Sequence, residues 1–299
     1  MIRPGKLTIL GDDPKLRLEW RMLSIKTRKR YIAAVQCLSH SPSRLGLSSS
    51  RYDDFVYAHL GMFNTSHEVA ASLPWHRWYI QQYENALRNE CGYDGTLAYW
   101  DWTLDAGNAT KSPLWSNESG FGGNGSSVEH CLEDGPLASM RPKYPEPHCL
   151  RRNFQFDIQA AHFTTPVIED LISSAKTYHE FRRGLESGPH KWIHLGIDGE
   201  MPTPGSTNDP IFFLHHAQID RLWWKWQHCK PNGRLRDYDA MEEDLKNNSK
   251  SESSDSGASG ASEVSLNDPL KLYGIGEDIK VEDVMSTETP LLCYKYPTA

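Results

Sequence analysis

Leu18, Met22, Ile25, Ile32 and Val35 recur at near-helical spacing, which predicts a helix over residues 13–40. Residues 51–62 carry a second such pattern. Leu73-Pro-Trp75 opens a third helix, with Pro74 in its first turn, running to about Asn89. The pattern then lapses. Residues 104–153 are rich in Gly, Ser, Asn and Pro and predict a long irregular insertion. Helical patterning returns over 165–196, broken at Gly188-Pro189, and Pro210 begins the last strong helix, to about His228. Residues 246–265 are low in complexity and predict a mobile loop. The short apolar tail Leu291–Tyr296 is expected to dock back on the body. No repeat of solenoid period is present.

Composition narrows the class. The 299 residues allow one large domain or two small ones, and 10 Trp, 13 Tyr and 9 Phe can fill a sizeable core. A net charge of -7 implies no basic face and argues against a nucleic-acid partner. No stretch approaches the roughly 20 apolar residues of a membrane span. Six scattered cysteines, Cys37, Cys91, Cys131, Cys149, Cys229 and Cys293, lack C-x-x-C pairing and read as disulfides. Cys131 and Cys149, which bracket a short Pro-rich loop, are the first expected pair. Asn64, Asn108, Asn117, Asn124 and Asn247 head N-x-S/T sequons, which also arise by chance. Cysteines and sequons together point to a secreted glycoprotein. The N-terminus lacks the apolar core of a leader, so a mature form with its leader removed reconciles the two observations.

Two histidine triplets change the picture most: His59, His67 and His76, then His190, His194 and His216. His190 and His194 are four apart, which puts both imidazoles on one helix face. Lys191 stands where a zinc protease needs Glu, so that chemistry is not indicated. Alone, such a pair is equally read as a surface or core pair. For the first triplet, two antiparallel helices would bring His59 and His76 together, with the connecting segment folding His67 between them. Imidazole suits Cu, Zn, Fe and Ni, and three such ligands leave positions open on each metal. Two triplets facing each other inside a four-helix core would clamp a two-atom ligand. An all-neutral ligand set favours copper chemistry with dioxygen over hydrolysis. His40, His130, His148, His162, His179 and His228 fit no ligand position, and the tryptophans read as core.

The motifs Leu73-Pro-Trp-His-Arg77, Gly188-Pro-His-Lys-Trp-Ile-His194 and Asp209-Pro-Ile-Phe-Phe-Leu-His-His216, followed by Asp220-Arg-Leu-Trp223, resemble the type-3 copper family of tyrosinases, catechol oxidases and hemocyanins. The resemblance covers roughly residues 15–296 and looks closest to short secreted fungal polyphenol oxidases. It implies a mainly α fold: a central four-helix bundle holding a dinuclear copper site, with long irregular loops and few short strands. It implies one catalytic domain over 1–299. It also implies two copper ions, with dioxygen as co-substrate and small phenols as substrates. His59, His67 and His76 match copper A; His190, His194 and His216 match copper B. His215 falls beside the ligands or on the substrate side, and Phe212 matches a ring packed against them. Asp209 and Asp220 are candidates to fix loop and histidine orientation. Arg21 resembles a residue tying the N-terminal region to the Tyr294/Tyr296 tail.

Departures from the family pattern bear on the activity. Thr65 stands where many fungal members carry a cross-linked Cys, so no thioether is expected and His67 would be held by packing alone. Lys191 occupies a position where efficient monophenol hydroxylators often have Asn. Glu186, four before His190, is the candidate to hold a water or accept a phenolic proton. Thr203 falls where the family places a gate residue and would leave the copper A side open. The chain stops just after Tyr296, as expected of an active form without a C-terminal shielding domain. These features favour oxidation of o-diphenols to o-quinones. Monophenol hydroxylation, o-aminophenol oxidation and dioxygen carriage are the alternatives. Oligomeric state is left open.

Overall fold

Ser24, Ser50 and Gly92 set the limits of the first helices. The computed structural model of the protein describes residues 13–126, 128–230, 233–240 and 263–298. Helix α1 (Ile25–His40) starts at Ser24, whose side chain accepts from Thr27 N–H. Helix α2 (Arg51–Ser66) starts at a capping box of Ser50 and Asp53. Helix α3 (Ser72–Cys91) ends at Gly92, whose φ of 67° needs the freedom of glycine. After a long connection come α4 (Phe156–Gln159), α5 (Thr165–Ser174), α6 (Tyr178–Leu185), α7 (Lys191–Ile197) and α8 (Ile211–His228). The expected mainly α architecture is therefore found. Among the described residues the strands are β1 (Lys15–Leu16), β2 (Pro269–Leu270), β3 (Ile279–Lys280) and β4 (Tyr294–Lys295).

Several boundaries differ from the sequence reading. The first helix begins at Ile25, not near residue 13. Residues before it instead pair with the tail, β1 running parallel to β4, and Met22 and Ile25 are exposed. The 165–196 stretch breaks a second time, at 175–177, because the Ala175 carbonyl is taken by Trp226 Nε1 (3.1 Å) and Arg234 (2.8 Å). The expected mobile loop lies outside the described residues up to residue 262. Residues 104–153 are irregular as expected, apart from short helical turns.

Helix α3 packs on α1 and α8, α2 on α1 and α3, and α6 closes against α8. Aromatic rings fill the space between them: Trp75 stacks on Tyr79 at 4.8 Å, and Tyr79 on Phe213 at 5.8 Å. The expected Cys131–Cys149 bridge forms, and Cys37–Cys91 ties α1 to α3. Six cysteines do not make three bridges, since Cys229 remains a thiol bonded to the Trp226 carbonyl at 3.2 Å. Among the described residues no helix is long and apolar enough to cross a membrane.

Tail, N-terminal segment and bundle meet at Asp220, buried on α8. It accepts from Arg77 at 2.5 Å, Arg17 at 3.4 Å, and the hydroxyls of Tyr294 (2.6 Å) and Tyr296 (2.5 Å). Arg17 also lies over the Tyr294 ring and pairs with Glu84. Two expectations are corrected here. Arg17, not Arg21, ties the N-terminal region to the tail; Arg21 pairs with Glu19 and Asp105. Asp220 orients no histidine ring, because these four donors use its oxygens.

Candidate metal centre

Helix α2 carries His59 and ends at His67; α3 carries His76. Because α2 and α3 pack side by side, the rings converge, with centroids 5.0 Å (His59–His67), 4.9 Å (His67–His76) and 5.9 Å (His59–His76) apart. Their nearest ring nitrogens lie within 4.8 Å of one another. His67 thus sits with the two helical residues, as the sequence reading expected.

The second cluster forms across α7 and α8. Residues Glu186–His190 make a π-helical turn in which Gly188 leaves helical geometry (φ -97°, ψ -117°). π-turns recur at functional sites because they re-aim side chains. His190 and His194 follow with ring centroids 4.5 Å apart. Both His215 and His216 join them, and one nitrogen from each of the four lies within 4.8 Å of the others. His216 faces the first cluster: its ring stacks on His76 at 4.4 Å and on Phe212 at 3.9 Å. His215 instead stacks on His190 at 5.3 Å. Phe212 also packs on His59 at 5.1 Å, so it touches rings from both clusters.

Backbone carbonyls fix the rings. Nδ1–H of His67, His76 and His190 each donates one helical turn back, to Phe63 (2.9 Å), Ser72 (2.8 Å) and Glu186 (3.2 Å). His59 donates to Pro204 (3.0 Å) and His194 to Met201 (2.6 Å), both on the loop before α8. A proton on Nδ1 leaves the Nε2 lone pair for a ligand. His67 is therefore held by a hydrogen bond as well as by packing, which corrects the expectation. Thr65 donates to the Met62 carbonyl instead. Asp209 does hold the loop, through Arg152 at 2.7 and 2.9 Å and through Ile211 N–H, but touches no imidazole.

The Nε2 atoms of His59, His76, His194 and His216 are buried without a hydrogen-bond partner. Both ring nitrogens of His215 share that condition. A buried polar atom left unsatisfied is costly, and one such cluster demands an occupant. Burial, reinforced by neighbouring imidazoles, pushes His59, His76, His194, His215 and His216 well below the usual histidine range, and His190 down to about 3. Such shifts favour the neutral ring, the state in which imidazole binds a metal. The donor set fits a pair of borderline metal ions such as copper.

A cavity of about 700 Å³ opens onto His67, His190 and His194. Its size suits a small-molecule ligand, for which pockets run to about 300–1,000 Å³. Lys191 and Thr203 stand exposed on its wall. The Thr203 hydroxyl is turned into its own loop, donating to the Glu200 carbonyl and accepting from Gly205 N–H. Glu186 also lines this cavity, but its oxygens are engaged by Glu68 N–H, Ser72 and Arg182. Arg152 and the loop carbonyls of Met201 and Pro204 were missed in the sequence reading. Only the carbonyls one turn before His67, His76 and His190 had a signal there, namely the helical spacing itself.

The family profile for the common central domain of tyrosinase matches residues 49–229. A tyrosinase-like protein of Diaporthe leptostromiformis is 38% identical over 95% of this chain and 78% of its own length. A tyrosinase of Aspergillus flavus is 35% identical, covering 95% of this chain and 80% of its own. A polyphenol oxidase variant from Thermothelomyces thermophila superposes with a TM-score of 0.81 at 27% identity, over 95% of this chain and 89% of that one.

Proposed function

We propose, for a chain that belongs to the tyrosinase family of copper oxidoreductases, the function of a polyphenol oxidase that converts o-diphenols to o-quinones with dioxygen. One copper ion is assigned to His59, His67 and His76, the other to His190, His194 and His216. The observation that carries this reading is the set of buried, partnerless Nε2 atoms facing inward from two facing clusters. Bound there, the copper pair would supply dioxygen binding and the electron acceptance that the oxidation needs.

The chain's own part is orientation and access. Carbonyl groups hold five of the six rings in one tautomer. Phe212 packs against rings of both clusters and braces them. The open cavity lets a phenol ring reach His67 and His190 directly, which favours an enzyme over a dioxygen carrier. His215, buried and stacked on His190, packs beside the ligands and does not line the open cavity. Thr203, small and on the rim, leaves that entrance wide.

Lys191 on the cavity wall is the reason to favour diphenol oxidation over monophenol hydroxylation: it offers no amide to position a water against a phenol. In a panel of matched monophenols, o-diphenols and o-aminophenols, the copper-loaded chain is expected to turn over o-diphenols and to hydroxylate monophenols poorly. Lys191→Asn should raise monophenol hydroxylation by about tenfold, the scale of one hydrogen bond to a charged group. Prompt monophenol hydroxylation by the parent chain would overturn this assignment.

Two disulfides and the sequons support secretion, since such bridges persist in oxidising compartments. The native protein is expected in the culture medium; recovery only from cell lysate contradicts it.

A further inference from the structure

Glu186 lies at the seam between the two clusters. Its backbone carbonyl accepts from His190 Nδ1 at 3.2 Å, in the second cluster. Its carboxylate reaches the first. Oε1 accepts from Glu68 N–H at 2.7 Å and from the Ser72 hydroxyl at 3.0 Å, and Oε2 accepts from Arg182 at 2.8 Å. Glu68 directly follows His67 and has a φ of 57°, a conformation that side-chain-bearing residues rarely adopt. The Glu186 carboxylate holds that turn in place. Ser72, fixed through its hydroxyl, gives its own carbonyl to His76 Nδ1 at 2.8 Å. Three imidazoles, two from one cluster and one from the other, therefore take their placement from a single residue.

The surrounding space agrees. A small cavity of about 10 Å³, near the volume one water needs, is bounded by Ser72, Glu186 and the rings of His76, His190 and His216. The Glu186 carboxylate thus forms part of the wall where rings of both clusters meet. Three of the roughly four acceptor sites of its oxygens are already taken by these donors, which leaves one for any further partner.

We propose that Glu186 is a positioning residue that sets the spacing of the two metal positions, and not the base that takes a proton from the phenol. The proposal rests on the copper assignment above.

The test compares Glu186→Gln, Glu186→Ala and Ser72→Ala with the parent. Copper per chain is measured by elemental analysis after equilibration with a chelator of fixed strength, and o-diphenol oxidation is followed across pH. Glutamine keeps an oxygen acceptor for Glu68 and Ser72, at the loss of the Arg182 ion pair. Glu186→Ala is expected to weaken copper retention by about 10–100-fold, the range for residues that support metal ligands. Ser72→Ala should shift it the same way by less, although no carboxylate has been touched. Glu186→Gln should retain copper and the parent's pH profile, with thermal melting confirming that it folds. Glu186→Gln as inactive as Glu186→Ala with copper intact, or full copper retention in both alanine variants, overturns the proposal. A parent chain that takes up no copper overturns the copper assignment itself, and this proposal with it.

Discussion

His216→Ala is expected to remove one copper per chain and to lower o-diphenol oxidation by more than the roughly 100-fold that loss of a merely supporting residue costs. His215→Ala, one position away, should retain both metals. The two residues are adjacent on α8, both buried, and both have ring nitrogens without partners. Proximity to His190 does not separate them, with ring centroids at 5.3 Å for His215 and 5.1 Å for His216. Direction does. Successive helical residues point about 100° apart, and His216 alone turns towards the first cluster, stacking on His76 at 4.4 Å. Phe212, one turn earlier on the same helix, also stacks on it at 3.9 Å and helps fix the ring plane. His215 faces His190, His194 and Trp102. Copper analysis and quinone formation on both variants decide the matter. If His215→Ala loses the metal and His216→Ala keeps it, the assignment in the second cluster is reversed.

The second large effect is on stability. Asp220→Ala should lower it by about 3–5 kcal/mol, the cost of leaving buried charge uncompensated, with Arg17 keeping Glu84 and so moderating the loss. For a chain of this length that corresponds to a fall in Tm of about 5–10 °C, read by calorimetry. The carboxylate sits between Arg77 and Arg17 under the tail tyrosines. Burial alone would raise its pKa, but Arg77, Arg17 and the hydroxyls of Tyr294 and Tyr296 outweigh burial and hold it below the usual Asp value. A depressed carboxyl pKa stabilises the fold fully above about pH 4, the unfolded value, and the contribution is lost as pH falls through the folded value. The parent should therefore lose stability in acid more steeply than Asp220→Ala does. Because Arg77 follows His76 and Asp220 lies one turn beyond His216, the same ion pair also braces α3 against α8. An unchanged Tm would show that the tail latch carries no stability.

How far the sequence foretold the structure depends on whether the forces involved are local. The helices bearing His59, His76 and His216 were legible from apolar periodicity and from breakers such as Pro74 and Pro210, because those signals act within a few residues. The first helix was overextended because Leu18 and Met22 keep helical spacing, while their segment pairs with a strand nearly 280 residues away. The break at 175–177 likewise comes from Trp226 and Arg234, distant in sequence. At the metal centre the histidines stood out by type and spacing. Their partners did not: Pro204 and Met201 act through carbonyls that every residue possesses, so only the folded loop reveals them. Asp220 was singled out for the wrong bond, since sequence shows a carboxylate near a histidine helix but not the two arginines that claim it.

Oxygen uptake by the copper-loaded chain, followed together with quinone absorbance on addition of an o-diphenol, tests the central claim most directly. Each diphenol surrenders two electrons and two protons, and dioxygen takes up four of each on reduction to water. The account predicts that one dioxygen is consumed for every two quinones formed, with activity rising to a maximum at two coppers per chain. Dioxygen bound reversibly without quinone, or turnover that does not depend on copper, would contradict it.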